Sequence, residues 1–130
     1  MNHFLLATTY LKDLMRTDKE RFFLELDHFR DLIFQSSDII KEDKRDGKGA
    51  ILAHGFFDLT PANCYYIDGE FVFGPLEFCI KNYPANALIL RMINSLYQGD
   101  IDIYRQIPME ILMDRYGLNE KKELWWRADW

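Results

Sequence analysis

The ten residues from Cys64 to Phe73, CYYIDGEFVF, constrain the fold more than any other stretch of the chain. Two aromatic and β-branched runs flank Asp68-Gly69. A two-residue Asp-Gly link selects a type I′ turn, because both central residues need φ > 0. The segment therefore reads as a tight antiparallel hairpin over about 64–73. Alternation sorts Tyr65, Ile67, Phe71 and Phe73 into two face sets without deciding which set is buried.

The pattern before the hairpin is helical. Leu5, Thr8, Leu11 and Met15 recur at helical spacing, with Lys12, Asp13 and Arg16 on another side. Thr17-Asp18-Lys19-Glu20 reads as a capping box with Thr17 as the cap. The helix it opens carries the stripe Phe22, Leu26, Phe29 and Ile33, widened by Phe23 and Leu32. Together these form a helical hairpin over about 3–36, and the Phe-rich stripe is core packing. Ser, Asp, Lys and two glycines then predict a mobile connection over about 36–49. AILAHGFF, residues 50–57, is either a short buried strand or an apolar lead into a loop.

After the hairpin, proline and glycine punctuate helices. Pro84 and Gly99 bracket one helix and Pro108 and Gly117 another, with DIDIYRQI as a short helix between them. Asn119 would cap a last helix, and Trp125, Trp126 and Trp130 would dock onto the core. The expected architecture is one domain over 1–130. It is α+β and mostly α-helical, with an N-terminal helical hairpin, one central β-hairpin and three to four C-terminal helices.

Composition excludes several classes. At 130 residues with 48% hydrophobic content the chain can bury a single core. The net charge of −5 offers no basic face, so no nucleic acid is expected as a partner. The run KEDKRDGKG, Lys41 to Gly49, mixes its signs and reads as a solvated loop. Cys64 and Cys79 are too few for a disulfide framework, and with His3, His28 and His54 scattered they match no zinc spacing. Two free thiols fit a reducing, cytoplasmic setting, and their aromatic neighbours predict that they are buried and unreactive. No apolar run reaches membrane-spanning length. No G-x-S-x-G elbow and no Gly-rich cofactor turn is present.

One stretch carries the pattern of a chemical site: Asp58-Leu59-Thr60-Pro61-Ala62-Asn63. In kinase-type phosphoryl transfer an aspartate orients the acceptor hydroxyl, and an asparagine five positions on holds the metal. Asp58 and Asn63 have that spacing. The alternative is a plain Asx-type turn before a strand, with either side chain bonding the backbone.

The D-x-x-P-x-N form, with Pro61 between the two, resembles the catalytic loop of choline-kinase and aminoglycoside-phosphotransferase relatives. His54-Gly55 resembles the opening of that loop, although Phe56 and Phe57 intervene before Asp58. The longer series DLTPAN, DGEFVF, LEF, NYPAN and RMI, covering about a third of the chain, resembles a tail region of larger bacterial surface-polysaccharide biosynthesis proteins of the methyltransferase and glycosyltransferase kind. The resemblance implies a kinase-like C-terminal lobe, with Asp58 and Asn63 as a degenerate catalytic pair and Asn63 and Glu77 as metal ligands.

Two departures shape the functional expectation. Pro75 stands where the pattern has a metal-binding aspartate, and proline has no side-chain oxygen to hold magnesium. No Gly-rich loop with a following strand lysine appears among the 57 residues before Asp58. The chain is therefore expected to be a non-catalytic accessory or interaction module without a cofactor, meeting a partner protein or a second copy through an exposed apolar face. The alternatives are a transferase half-site, completed by a partner chain and using magnesium and nucleotide, and a helical domain unrelated to kinases.

Overall fold

The computed structural model describes residues 4–43 and 48–118. The elements run β1 (Phe4–Leu6), α1 (Ala7–Thr17), α2 (Lys19–Gln35), β2 (Ile39–Asp43), β3 (Gly49–Phe56), β4 (Cys64–Ile67), β5 (Glu70–Phe73), β6 (Cys79–Pro84), α3 (Ala85–Tyr97), α4 (Ile101–Gln106) and α5 (Met109–Arg115). A 3₁₀ turn, Pro61–Asn63, precedes β4. The fold is α+β.

Helix α2 forms where the 3.6-residue stripe demands it: Phe22, Leu26, Phe29 and Ile33 are all fully buried. Its cap differs from the expected one. Thr17 is the last residue of α1, and its hydroxyl donates back to the Asp13 carbonyl at 2.8 Å. Asp18 caps α2 instead, accepting from the Arg21 N–H at 3.1 Å. With Thr17 still helical, only the next residue is free to take the non-helical cap geometry.

The hairpin β4–β5 closes as its turn residues dictate, with Asp68 at φ 48° and Gly69 at φ 87°. Cys64, opposite Phe73, and Tyr66, opposite Phe71, form its inner face. Tyr66 stacks on Tyr10 at 3.7 Å, and Phe71 meets Phe29 edge-on at 5.2 Å. Tyr65 and Val72 face outward.

The sheets are more extensive than the sequence predicts. Residues 4–6, expected in the first helix, are extended and pair with β4, Leu5 opposite Tyr66. An open hairpin edge presents unpaired N–H and C=O groups, and this triplet takes them up. The result is an antiparallel sheet in the order β1-β4-β5. A second antiparallel sheet has the order β2-β3-β6. Strand β2 lies within the expected connection, and β6 lies where only a loop and a helix start are predicted. AILAHGFF is a strand in its greater part, β3.

Helix α3 runs through the core with Leu88, Ile89, Met92, Ile93 and Leu96 all almost completely buried. Its punctuation follows the sequence: Pro84 at the N-cap and Gly99 at φ 68° just beyond the end. Helix α4 is capped by Asp100, and α5 lies between Pro108 and Gly117, with Gly117 at φ 70°. Ion pairs tie these helices back. Lys12 meets Asp100 at 3.3 Å and Arg16 meets Asp102 at 3.0 Å. Arg115 donates twice to Asp27, at 3.0 and 2.6 Å, and the Tyr116 hydroxyl donates to the same carboxylate at 2.7 Å. The expected helix after Asn119, with Trp125, Trp126 and Trp130, lies outside the described residues.

Candidate functional site

The loop from Phe57 to Asn63 is held by its own apolar residues. Leu59 is fully buried, and Thr60 and Pro61 are buried beside it. Short backbone bonds fold it: the Leu59 N–H donates to the Phe56 carbonyl at 3.2 Å and the Asn63 N–H to the Thr60 carbonyl at 3.0 Å. With these anchors inward, Asp58 is left half-buried and Asn63 exposed. The Asn63 amide donates to the Thr60 hydroxyl at 3.4 Å.

Across from this loop the chain between β5 and β6 forms a rim. The Phe57 N–H donates to the Phe78 carbonyl at 2.9 Å, and the Glu77 N–H donates to the Asp58 carboxylate at 3.3 Å. Between loop and rim lies an open cleft of about 570 Å³, within the range of small-molecule sites. Phe57, Phe73 and Phe78 give it aromatic walls, Gly74, Pro75 and Leu76 continue the rim, and Asp58, Asn63 and Arg91 supply its polar groups.

Arg91 comes from α3. Its guanidinium lies over the Phe57 ring, 4.8 Å from the centroid, and donates to the Phe57 carbonyl at 3.4 Å. Phe57 is in turn steadied edge-on by Tyr83 at 5.1 Å. Burial raises the Tyr83 hydroxyl pKa, with nearby Arg91 pulling the other way. Gly55 makes room for this stack, since a Cβ there would lie 2.6 Å from Tyr83 Cβ.

The structure thus brings Asp58 and Asn63 to one cleft and places Pro75 in the same cleft. Glu77, expected as a metal ligand, reaches Asp58 through its backbone N–H, and its exposed side chain is not part of the cleft lining. Among the described residues no group of three or more His, Cys, Asp or Glu side chains converges in a way that could hold a metal. Arg91 enters the sequence analysis only as the first residue of RMI, with no site role given to it. Its signal was a lone charge in α3, where every other residue of ANALILRMINSLY is uncharged.

The thiols separate. Cys64 is buried, and burial pushes its pKa up to about 12, so it is inert as a nucleophile at neutral pH. Cys79 is exposed on β6, against the expectation that both are buried; it sits on an edge strand where nothing covers it. Away from the cleft, the buried Glu25 accepts from the Tyr10 hydroxyl at 2.9 Å and lies 3.1 Å from His28 Nδ1. That arrangement satisfies a buried charge between α1 and α2.

Among the described residues no helix is long and apolar enough to cross a membrane. No known protein family, curated protein or solved structure matches this chain.

Proposed function

We propose that this chain is a non-catalytic binding module with a kinase-like C-lobe ancestry, working in the cytoplasm as an accessory to surface-polysaccharide synthesis. The cleft between the Asp58–Asn63 loop and the 74–78 rim is its binding surface. One observation carries the reading: Asp58, Asn63 and Pro75 share a cleft. The loop pair has the sequence spacing of a phosphotransferase's aspartate and asparagine, and Pro75 beside them has no side-chain oxygen for a metal. Asp58 is also engaged structurally, accepting from the Glu77 N–H. A carboxylate that fastens the rim is less free to orient an acceptor hydroxyl.

A second reading keeps the chemistry and assigns it to a half-site completed by a partner chain. Arg91 favours it, because a guanidinium in the same cleft could neutralise transferred phosphate.

The substitution Pro75→Asp tests the ancestry. It would restore a carboxylate beside Asp58 and Asn63. Manganese binding, followed by electron paramagnetic resonance, should be absent from the wild type and present in the variant. Failure of a folded variant to bind the ion would remove the inherited-site argument, and binding by the wild type would favour the half-site.

A further inference from the structure

We propose that the cleft binds a carboxylate monoanion carried on an apolar or aromatic body, with Arg91 taking the carboxylate. The proposal rests on the reading of this cleft as the module's binding surface and names the ligand class that its side chains select.

Arg91 sets the first half of the match. Its guanidinium is stacked on Phe57 and fixed by the Phe57 carbonyl. The Phe57 carbonyl takes one donor, and a guanidinium carries five N–H donors, so others are left for a ligand. Among the described residues Arg91 forms no ion pair, and it is the cation that lines this cleft. A fixed, unpaired fork in an aromatic cleft suits a planar two-oxygen acceptor.

The walls set the second half. Phe57, Phe73 and Phe78 line the same cleft as Arg91, and Phe78 is 66% exposed. A small anion such as acetate would leave that apolar surface wet. A ligand with a ring or branched body covers it.

Asp58 sets the charge limit. Its carboxylate lies in the cleft with only the Glu77 N–H bonded to it among the described residues. A dianion would meet that charge at close range, and a monoanion meets half the repulsion. Phosphate esters are therefore the poorer ligands.

The test is an amide NMR titration of the full chain with four probes. Phenylacetate carries both features, 2-phenylethanol the body alone, acetate the charge alone, and phenyl phosphate a second charge. Phenylacetate should shift the Phe57, Gly74 and Phe78 amides saturably and bind about tenfold more tightly than 2-phenylethanol, the scale of one charge-assisted hydrogen-bond pair at a partly exposed site. Arg91→Gln, at an exposed position, should abolish that preference while leaving the spectrum folded. Asp58→Asn should improve phenyl phosphate.

Equal binding of phenylacetate and 2-phenylethanol, a preference that survives Arg91→Gln, or no saturable shift at millimolar concentrations would each overturn the proposal. A further pair, N-acetylphenylalanine and its amide, locates the source of the carboxylate. Tighter binding of N-acetylphenylalanine than of phenylacetate assigns a peptide C-terminus, and the reverse a free organic acid. Loss of carboxylate selectivity would leave the manganese result on Pro75→Asp unchanged, so the two readings fail separately.

Discussion

Helix α2 and the rim from Gly74 to Phe78 are both rich in large apolar residues, and the structure uses them in opposite ways. In α2 Phe22, Leu26, Phe29 and Ile33 recur with the helical period and are fully buried, while Leu24, off that stripe, is exposed. In the rim, Pro75, Leu76 and Phe78 follow no period, Gly74 and Pro75 are exposed, and Phe78 is 66% exposed. Periodic apolar residues are consumed by the core. Aperiodic ones at a chain reversal are left at the surface, here facing the polar groups of Asp58, Asn63 and Arg91. The first set determines stability, and the second is free to determine binding.

The largest effect belongs to the helix. Phe29→Ala should cost about 3–5 kcal/mol in chemical denaturation, the usual penalty for a cavity at a fully buried aromatic position. A loss no larger than that of a surface substitution would break the comparison from its core side.

Gly55→Ala comes next, at about 1–3 kcal/mol, because the added methyl would press on Tyr83 and through it on Phe57. Thermal unfolding reads the cost. The same variant should also shift the cleft amides in NMR, since Phe57 carries Arg91.

Asp27 tests the tie between α2 and α5. Burial works to raise its pKa, but the hydrogen bonds from Arg115 and Tyr116 outweigh burial and hold it below the usual carboxylate range. The folded value lies below the unfolded value of about 4. The stabilisation is therefore present above pH ~4 and lost as the pH falls through the lowered folded value. Asp27→Ala should cost about 1 kcal/mol at neutral pH, given partial solvent screening. Below the folded pKa the difference from wild type should vanish, and a constant difference across the acid range would contradict the pairing.

The smallest effect belongs to the rim. Phe78→Ser should change stability by less than about 0.5 kcal/mol while weakening phenylacetate binding. A stability loss approaching that of Phe29→Ala would show that the rim is core after all.

What the sequence reveals divides along the same line. The α2 stripe, the Asp68-Gly69 turn and the Pro84/Gly99 and Pro108/Gly117 brackets are legible because each is a local rule: a period, a φ requirement, or a missing donor. Strands β1, β2 and β6 are not. Ile39–Asp43 places two exposed isoleucines before three charged residues, and Cys79–Pro84 ends in proline, so neither shows strand alternation. They are strands because β3 offers both its edges to them. At the cleft, Asp58 and Asn63 are legible from their spacing. Arg91 is not, because only the packing of α3 against the Phe57 loop brings it there.

Magnesium–nucleotide calorimetry on the wild-type chain tests the central claim most directly, namely that the cleft binds but no longer serves phosphoryl transfer. The account predicts no saturable heat with magnesium–ATP under conditions where phenylacetate binds. Saturable magnesium-dependent nucleotide binding, lost on Asn63→Ala, would contradict it and make this cleft a working half-site.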